Sequence, residues 1–128
     1  YTFITPQITA DVNFSFLGKT RFWNFLTRSY DPINAPKFKV NAKVAYNADH
    51  GFHGNMGFRY IPEFDWSAGV HYGTIDKYLV IDSMVGYRFG KRYDLLLNIN
   101  NLNGDVHREI IGGPKLGRHI TLKLNARF

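Results

Sequence analysis

Two stretches gather side chains that could hold a solute. Phe64 and Trp66, with Tyr72 a few residues on, offer ring faces; His107 and Arg108 offer a hydrogen-bonding ring and a fixed cation. Rings of this kind stack on planar ligands, and a guanidinium grips an anion with two parallel hydrogen bonds. Both sets also have plainer uses. Phe64 and Trp66 can pack a loop onto itself, and Arg108 beside Glu109 can form an exposed ion pair of small energetic weight. Covalent chemistry has less footing. Ser, His and Asp all occur, but in no nucleophile-elbow context. There is no HExxH and no Gly-rich phosphate loop. His50 and His53 stand at i and i+3, yet on a turn and a strand start, so they share no helical metal face. The chain has no cysteine, which removes thiolate zinc sites, cysteine nucleophiles and disulfides. The expectation is a binding surface with no catalytic residue, no metal and no cofactor.

The elements that must carry these residues read as strands. From His119 to the C-terminus, Ile120, Leu122, Leu124, Ala126 and Phe128 alternate with His119, Thr121, Lys123, Asn125 and Arg127. A helix would scatter both sets around its circumference; a strand puts each on one face. The same period recurs upstream, giving strands near 8–17, 38–47, 52–60, 78–89, 94–102 and 117–128. Their connections alternate in length. Residues 47–51 and 90–93 are short turns; 18–37, 61–77 and 103–115 are long loops. Short and long connections therefore lie at opposite ends of an antiparallel up-and-down sheet.

Which solvent the apolar face meets is a separate question. Soluble sandwiches also alternate, so alternation alone leaves a soluble β-sheet binding module open. Two features point to lipid. Aromatics concentrate near strand ends, with Tyr46, Phe52, Tyr87, Phe89 and Phe128 at the short-turn end and Phe16, Phe38, Tyr60 and Tyr78 at the long-loop end. Rings at two levels fit the two lipid–water boundaries. Strands of about 9–11 residues also suit a crossing tilted by ~45°, where soluble strands run about 5–6. The opposite face carries Lys39, Lys43, Arg59, Arg88, Lys123 and Arg127 against Asp11, Asp82 and Asp94, which suits a wet lumen. About six strands cannot close, because the smallest bacterial barrels have about 8. Further strands must come from a longer parent chain or from partner chains. The start at Tyr1, without a signal-peptide core, reads as a processed product or a fragment.

Net charge is +6. Lys and Arg are spread over many strands with Asp between them, so no basic-aromatic platform for nucleic acid forms.

Several segments resemble one family. Asn101-Leu102-Asn103-Gly104-Asp105-Val106-His107-Arg108-Glu109, then Gly112-Gly113-Pro114-Lys115-Leu116-Gly117-Arg118 and a terminal Phe128, resemble the closing signature of TonB-dependent outer-membrane receptors. Asn34-Ala35-Pro36-Lys37-Phe38-Lys39 looks like the opening of an earlier strand in that family. Phe64-Asp65-Trp66-Ser67-Ala68-Gly69 with Gly73-Thr74-Ile75-Asp76-Lys77-Tyr78 resembles a late outer loop, and Asp82 with Gly86-Tyr87-Arg88-Phe89 the strand after it. The resemblance covers most of residues 34–128 and implies the C-terminal strands of a barrel of about 22. It implies residence in the outer membrane of a Gram-negative bacterium, in contact with its lipid. The implied activity is TonB-dependent uptake of a scarce solute, such as an iron–siderophore or a cobalamin-like ligand. The remaining strands, a plug domain and TonB are the implied partners, and Phe128 is part of the signal read by the barrel assembly machinery. A structural or pore-forming barrel component without TonB coupling is the competing expectation.

Overall fold

The computed structural model describes residues 2–3 and 5–127. Phe128, expected to end the last strand and carry the assembly signal, lies outside the described residues. Eleven strands form, β1 (Thr2–Phe3), β2 (Ile8–Phe16), β3 (Arg21–Asn24), β4 (Ser29–Pro32), β5 (Phe38–Asn47), β6 (Gly51–Ile61), β7 (Phe64–Ala68), β8 (His71–Ile75), β9 (Tyr78–Phe89), β10 (Tyr93–Asn100) and β11 (His119–Ala126). Seven make one antiparallel sheet in the order β1-β2-β5-β6-β9-β10-β11. The sheet stays open, with β1 and β11 at its edges. β3–β4 and β7–β8 are separate two-stranded hairpins inside two of the long loops, where the sequence alone suggests only loop.

Register keeps the two faces apart across the sheet. One cross-strand row runs Leu122, Leu97, Val85, Gly54, Tyr46, Ile8; all belong to the apolar face. A one-residue slip anywhere would mix the faces, so the alternation itself fixes the pairing. That apolar face is bare. Val12, Phe14, Val44, Met56, Val85, Leu122 and Leu124 are all exposed, Val12 by 75% and Leu122 by 68%. Among the described residues, no second sheet or helix packs on it, as a soluble sandwich would require. Rings touch along it at two levels. Phe38 lies 6.2 Å from Phe14 and 6.1 Å from Tyr60 near the long loops. Phe52–Tyr87 and Tyr87–Phe89 stand at 4.8 and 4.7 Å near the short turns. Tyr78 departs from this pattern. It is the register partner of Ile61, one residue out of phase with the apolar set, and is buried on the polar face.

The polar face is tied together by its own side chains. His53 on β6 is buried and reaches across β9 to Asp94 on β10, with 3.5 Å between Nε2 and Oδ1. The ring passes over Gly86, where a Cβ would lie 2.5 Å from two His53 ring atoms and 2.8 Å from Leu96 Cδ2. Gly86→Ala should therefore push His53 off Asp94 and cost about 1–3 kcal/mol by overpacking. A lower unfolding temperature of the folded barrel, read by gel mobility, is the check. At the short-turn end, Arg88 donates to Asn47 Oδ1 at 3.1 Å and to the Ala48 carbonyl, pinning the β5–β6 turn.

Candidate ligand-binding surface at the long-loop end

β10 ends at Asn100, while its neighbour β9 runs on for another turn of the ladder toward Tyr78. The backbone groups of Leu79 and Ile81 would be left without a partner strand. Two side chains and one amide supply it. Asn103 Nδ2 donates to the Leu79 carbonyl at 2.7 Å, and the Ile81 amide donates to Asn103 Oδ1 at 3.0 Å. The Leu79 amide donates to Asp105 Oδ2 at 3.0 Å, and the Leu102 amide to the Ile81 carbonyl at 2.6 Å. An Asn side chain carries a donor and an acceptor side by side, as a peptide group does, so Asn103 replaces one residue of strand.

Asn101 shapes the turn that delivers this cap. Its φ is +58°, a left-handed conformation that Asn tolerates better than most residues. It is buried, and its side chain brackets Asp105, donating to the carbonyl at 2.7 Å and accepting from the amide at 3.0 Å. Asp82 Oδ1 accepts from the Asn101 amide at 2.9 Å. Arg118, at the far end of the loop, donates to the carbonyls of Leu102 at 2.7 Å and Asn101 at 3.4 Å. The spacing of Asn101, Asn103, Asp105 and Arg118 thus has a mechanical meaning: it closes a sheet edge.

The rest of that loop folds over the polar face. His107 is buried and stacks on Tyr78, with ring centroids 4.1 Å apart and planes 13° from parallel. Glu109 Oε1 lies 3.1 Å from Arg59 Nη2 on β6 and 3.7 Å from His107 Nε2. Ile111 packs on β8, where a Cβ at Gly73 would stand 3.1 Å from Ile111 Cδ1. Beneath it a small apolar cluster of Ile61, Ile75, Tyr78 and Val80 is flanked by Phe64, Trp66 and Ile111. The β7–β8 hairpin is joined in turn to the first long loop. Asn34, with φ +59°, trades two 2.7 Å hydrogen bonds with the Ser67 backbone, and Arg21 pairs with Asp65. Three long loops are therefore one connected cover at this end.

Between cover and wall is a cleft of about 410 Å³, bordered by Lys39, Asn41, Arg59, Phe64, Trp66 and Glu109 among others. Cations, an amide, a carboxylate and ring faces meet there, drawn from four separate parts of the chain. The residues singled out by sequence fall into three groups. Phe64 and Trp66 border the cleft while also packing the loop core, their rings edge-on at 6.5 Å. His107 lies behind it, against Tyr78. Tyr72 (69% exposed) and Arg108 are exposed and do not border the cleft. In sequence, Lys39 and Arg59 stand out only as generic lumen charges, and Glu109 only as a partner for Arg108. Their convergence follows from register and loop path over a separation of 50 residues. Among the described residues, no three His, Asp or Glu side chains converge as a cation site.

A meandering antiparallel sheet with one bare apolar face, one charged face, and long loops folded over a single end has the fold of an open segment of β-barrel wall. Among solved structures it is similar to the ferric-catecholate import receptor Fiu from E. coli K12, in a crystal structure of its closed form, with a TM-score of 0.74 at 23% identity. The match covers 98% of this chain, which spans 19% of that receptor's length. At this identity the likeness establishes the fold. No protein-family model matches the chain, and no curated protein matches it in sequence.

Proposed function

We propose that this chain is the C-terminal part of the wall, with the outer loops, of an outer-membrane receptor that takes up a scarce solute by TonB-dependent transport. The observation that supports it best is the bare apolar face with rings touching at two levels, which a lipid environment would satisfy. Unpaired sheet edges in lipid cost several kcal/mol per group, so further strands on each side complete the barrel. With the long loops outside, β11 runs inward toward the periplasm. A plug domain and TonB act through the parent protein, and the barrel assembly machinery reads its end. Fiu imports a ferric catecholate; an iron–siderophore is the solute class we favour for this chain, bound without covalent chemistry.

The test is uptake by cells expressing the parent gene in a strain stripped of other siderophore receptors. Accumulation of a labelled iron–siderophore should occur with TonB and cease without it. Equal entry in both strains would mark a passive pore instead. Recovery of the protein in soluble form without detergent would end the membrane reading altogether.

A further inference from the structure

The bridge between Arg59 and Glu109 uses only part of what Arg59 offers. A guanidinium presents Nε and Nη2 side by side, matched to the two oxygens of one carboxylate. Glu109 reaches Nη2 alone, while Nε is buried and makes no hydrogen bond among the described residues. His107 is already engaged elsewhere: its Nδ1 donates to the Asp105 carbonyl at 3.0 Å, and its Nε2, 3.7 Å from the same Glu109 oxygen, makes no hydrogen bond among the described residues. Buried polar atoms are rarely left unpaired, so the idle Arg59 Nε calls for a physical account.

We infer that Arg59 is a carboxylate-exchange site: Glu109 stands in for the anionic group of the solute, which takes its place on Arg59 and undoes the tie between the last loop and β6. The inference rests on the uptake reading, since the polar face must line the solute's path. In the exchanged state that idle donor finds a partner: the solute's two oxygens span Nε and Nη2, and Glu109 turns away to solvent. The site is half open to the lumen, with Arg59 and Glu109 side chains 43% and 38% exposed, so exchange needs no unfolding. Lys39 adds a second cation and Asn41 an amide on the same face of the neighbouring strand. Phe64 and Trp66 supply flat apolar walls. The solute group that fits is a planar ring bearing a carboxylate or two adjacent ionised oxygens. A neutral ring lacks the charge to displace Glu109.

Because Glu109 ties the last loop to β6, its departure undoes that tie. Binding and loss of the tie become two sides of one exchange. Ligand then shifts the loop only by its differential affinity for the two states, and that difference is Arg59 itself.

The test uses the purified full-length receptor in detergent, with 2,3-dihydroxybenzoate as the charged probe and its neutral amide as comparison, both followed by calorimetric titration. Wild type should favour the charged probe. Glu109→Gln removes the internal competitor and should tighten the charged probe about tenfold, while Arg59→Gln should weaken it about tenfold, the scale of one charge-assisted pair. Arg59→Lys, which keeps charge but not the fork, should fall between wild type and Arg59→Gln. Lys91→Gln, in the short turn at the opposite end of the sheet, should leave binding unchanged. Gel mobility before and after heating confirms that each variant is folded. A bridge that merely holds the loop would move Glu109→Gln and Arg59→Gln in the same direction, and that outcome overturns the inference. Uptake by cells separates it from the reading it rests on. Intact TonB-dependent uptake with same-direction shifts sinks the exchange alone; opposed shifts without uptake leave the exchange standing and sink the transport role.

Discussion

Replacing Leu122 with arginine is expected to destabilise the fold by about 2–4 kcal/mol, the cost that the proposed membrane setting puts on a cation near the bilayer midplane. Leu122 sits mid-strand in β11, opposite Leu97, on the bare apolar face. Thr121 is its neighbour in sequence but points to the charged face, so Thr121→Arg should stay within about 0.5 kcal/mol. Reversible unfolding of the parent receptor in phospholipid vesicles measures both. The contrast between adjacent positions is what matters. In a soluble sheet whose apolar face was covered by another layer, Leu122→Arg would also be costly, but detergent and lipid would be irrelevant to it. On a face that meets lipid, the penalty shrinks as the arginine is moved along it toward Ile120 or Leu124, where the side chain can reach an interface.

The second large effect falls on Asn101. Asn101→Ala removes both hydrogen bonds that bracket Asp105 and places a residue of lower tolerance at φ +58°. An unpaired buried amide or carbonyl costs about 1–3 kcal/mol and left-handed backbone about 1–2, so a loss of roughly 2–5 kcal/mol is expected. Asn101→Gly keeps the backbone freedom and loses only the bracket, so it should cost about half as much. The two variants separate conformational from hydrogen-bonding contributions in one unfolding experiment. Failure of the bracket also frees Asp105, and with it the cap on the Leu79 amide. Faster amide exchange at Leu79 and Ile81 is the local signature. If Asn101→Gly proved as costly as Asn101→Ala, the turn's conformation would not be what Asn101 provides.

The sheet is legible in the sequence because its physics is period two. The long strands carry their apolar sets in phase, and a run such as Ile120, Leu122, Leu124 admits one pairing face. Alternating connection lengths then distinguish the two ends. The hairpins inside the loops are harder to read. Phe64-Asp65-Trp66-Ser67 does alternate, and Gly69 at φ +60° marks its turn, but five residues are too few to stand out. β3, Arg21-Phe22-Trp23-Asn24, places two rings in succession and carries no alternation to read. Tyr78 joins an aromatic band only when it is judged as a ring near a strand end. Its phase, one residue off Leu79 and Ile81, already puts it on the other face. The last strand pair is shorter than its composition suggests, since Asn101 and Leu102 look like strand yet form the turn that caps β9. Of the cleft, Phe64 and Trp66 can be named from residue type. Arg59 and Lys39 cannot be chosen from the other basic residues, because what distinguishes them is a carboxylate 50 positions from Arg59.

The hydrogen bonds, ion pairs and packing that join Asn34 to Ser67, Arg21 to Asp65, Ile111 to Gly73 and Glu109 to Arg59 bear on how this surface could be re-engineered. No single loop is a transplantable unit. Exchanging only residues 62–77 for a foreign sequence would strip Asn34 and Ile111 of their partners and leave a chimera with two loosened neighbours. A graft intended to change ligand choice must carry residues 18–37, 62–77 and 101–118 together, with Lys39 and Arg59 retained on the host wall.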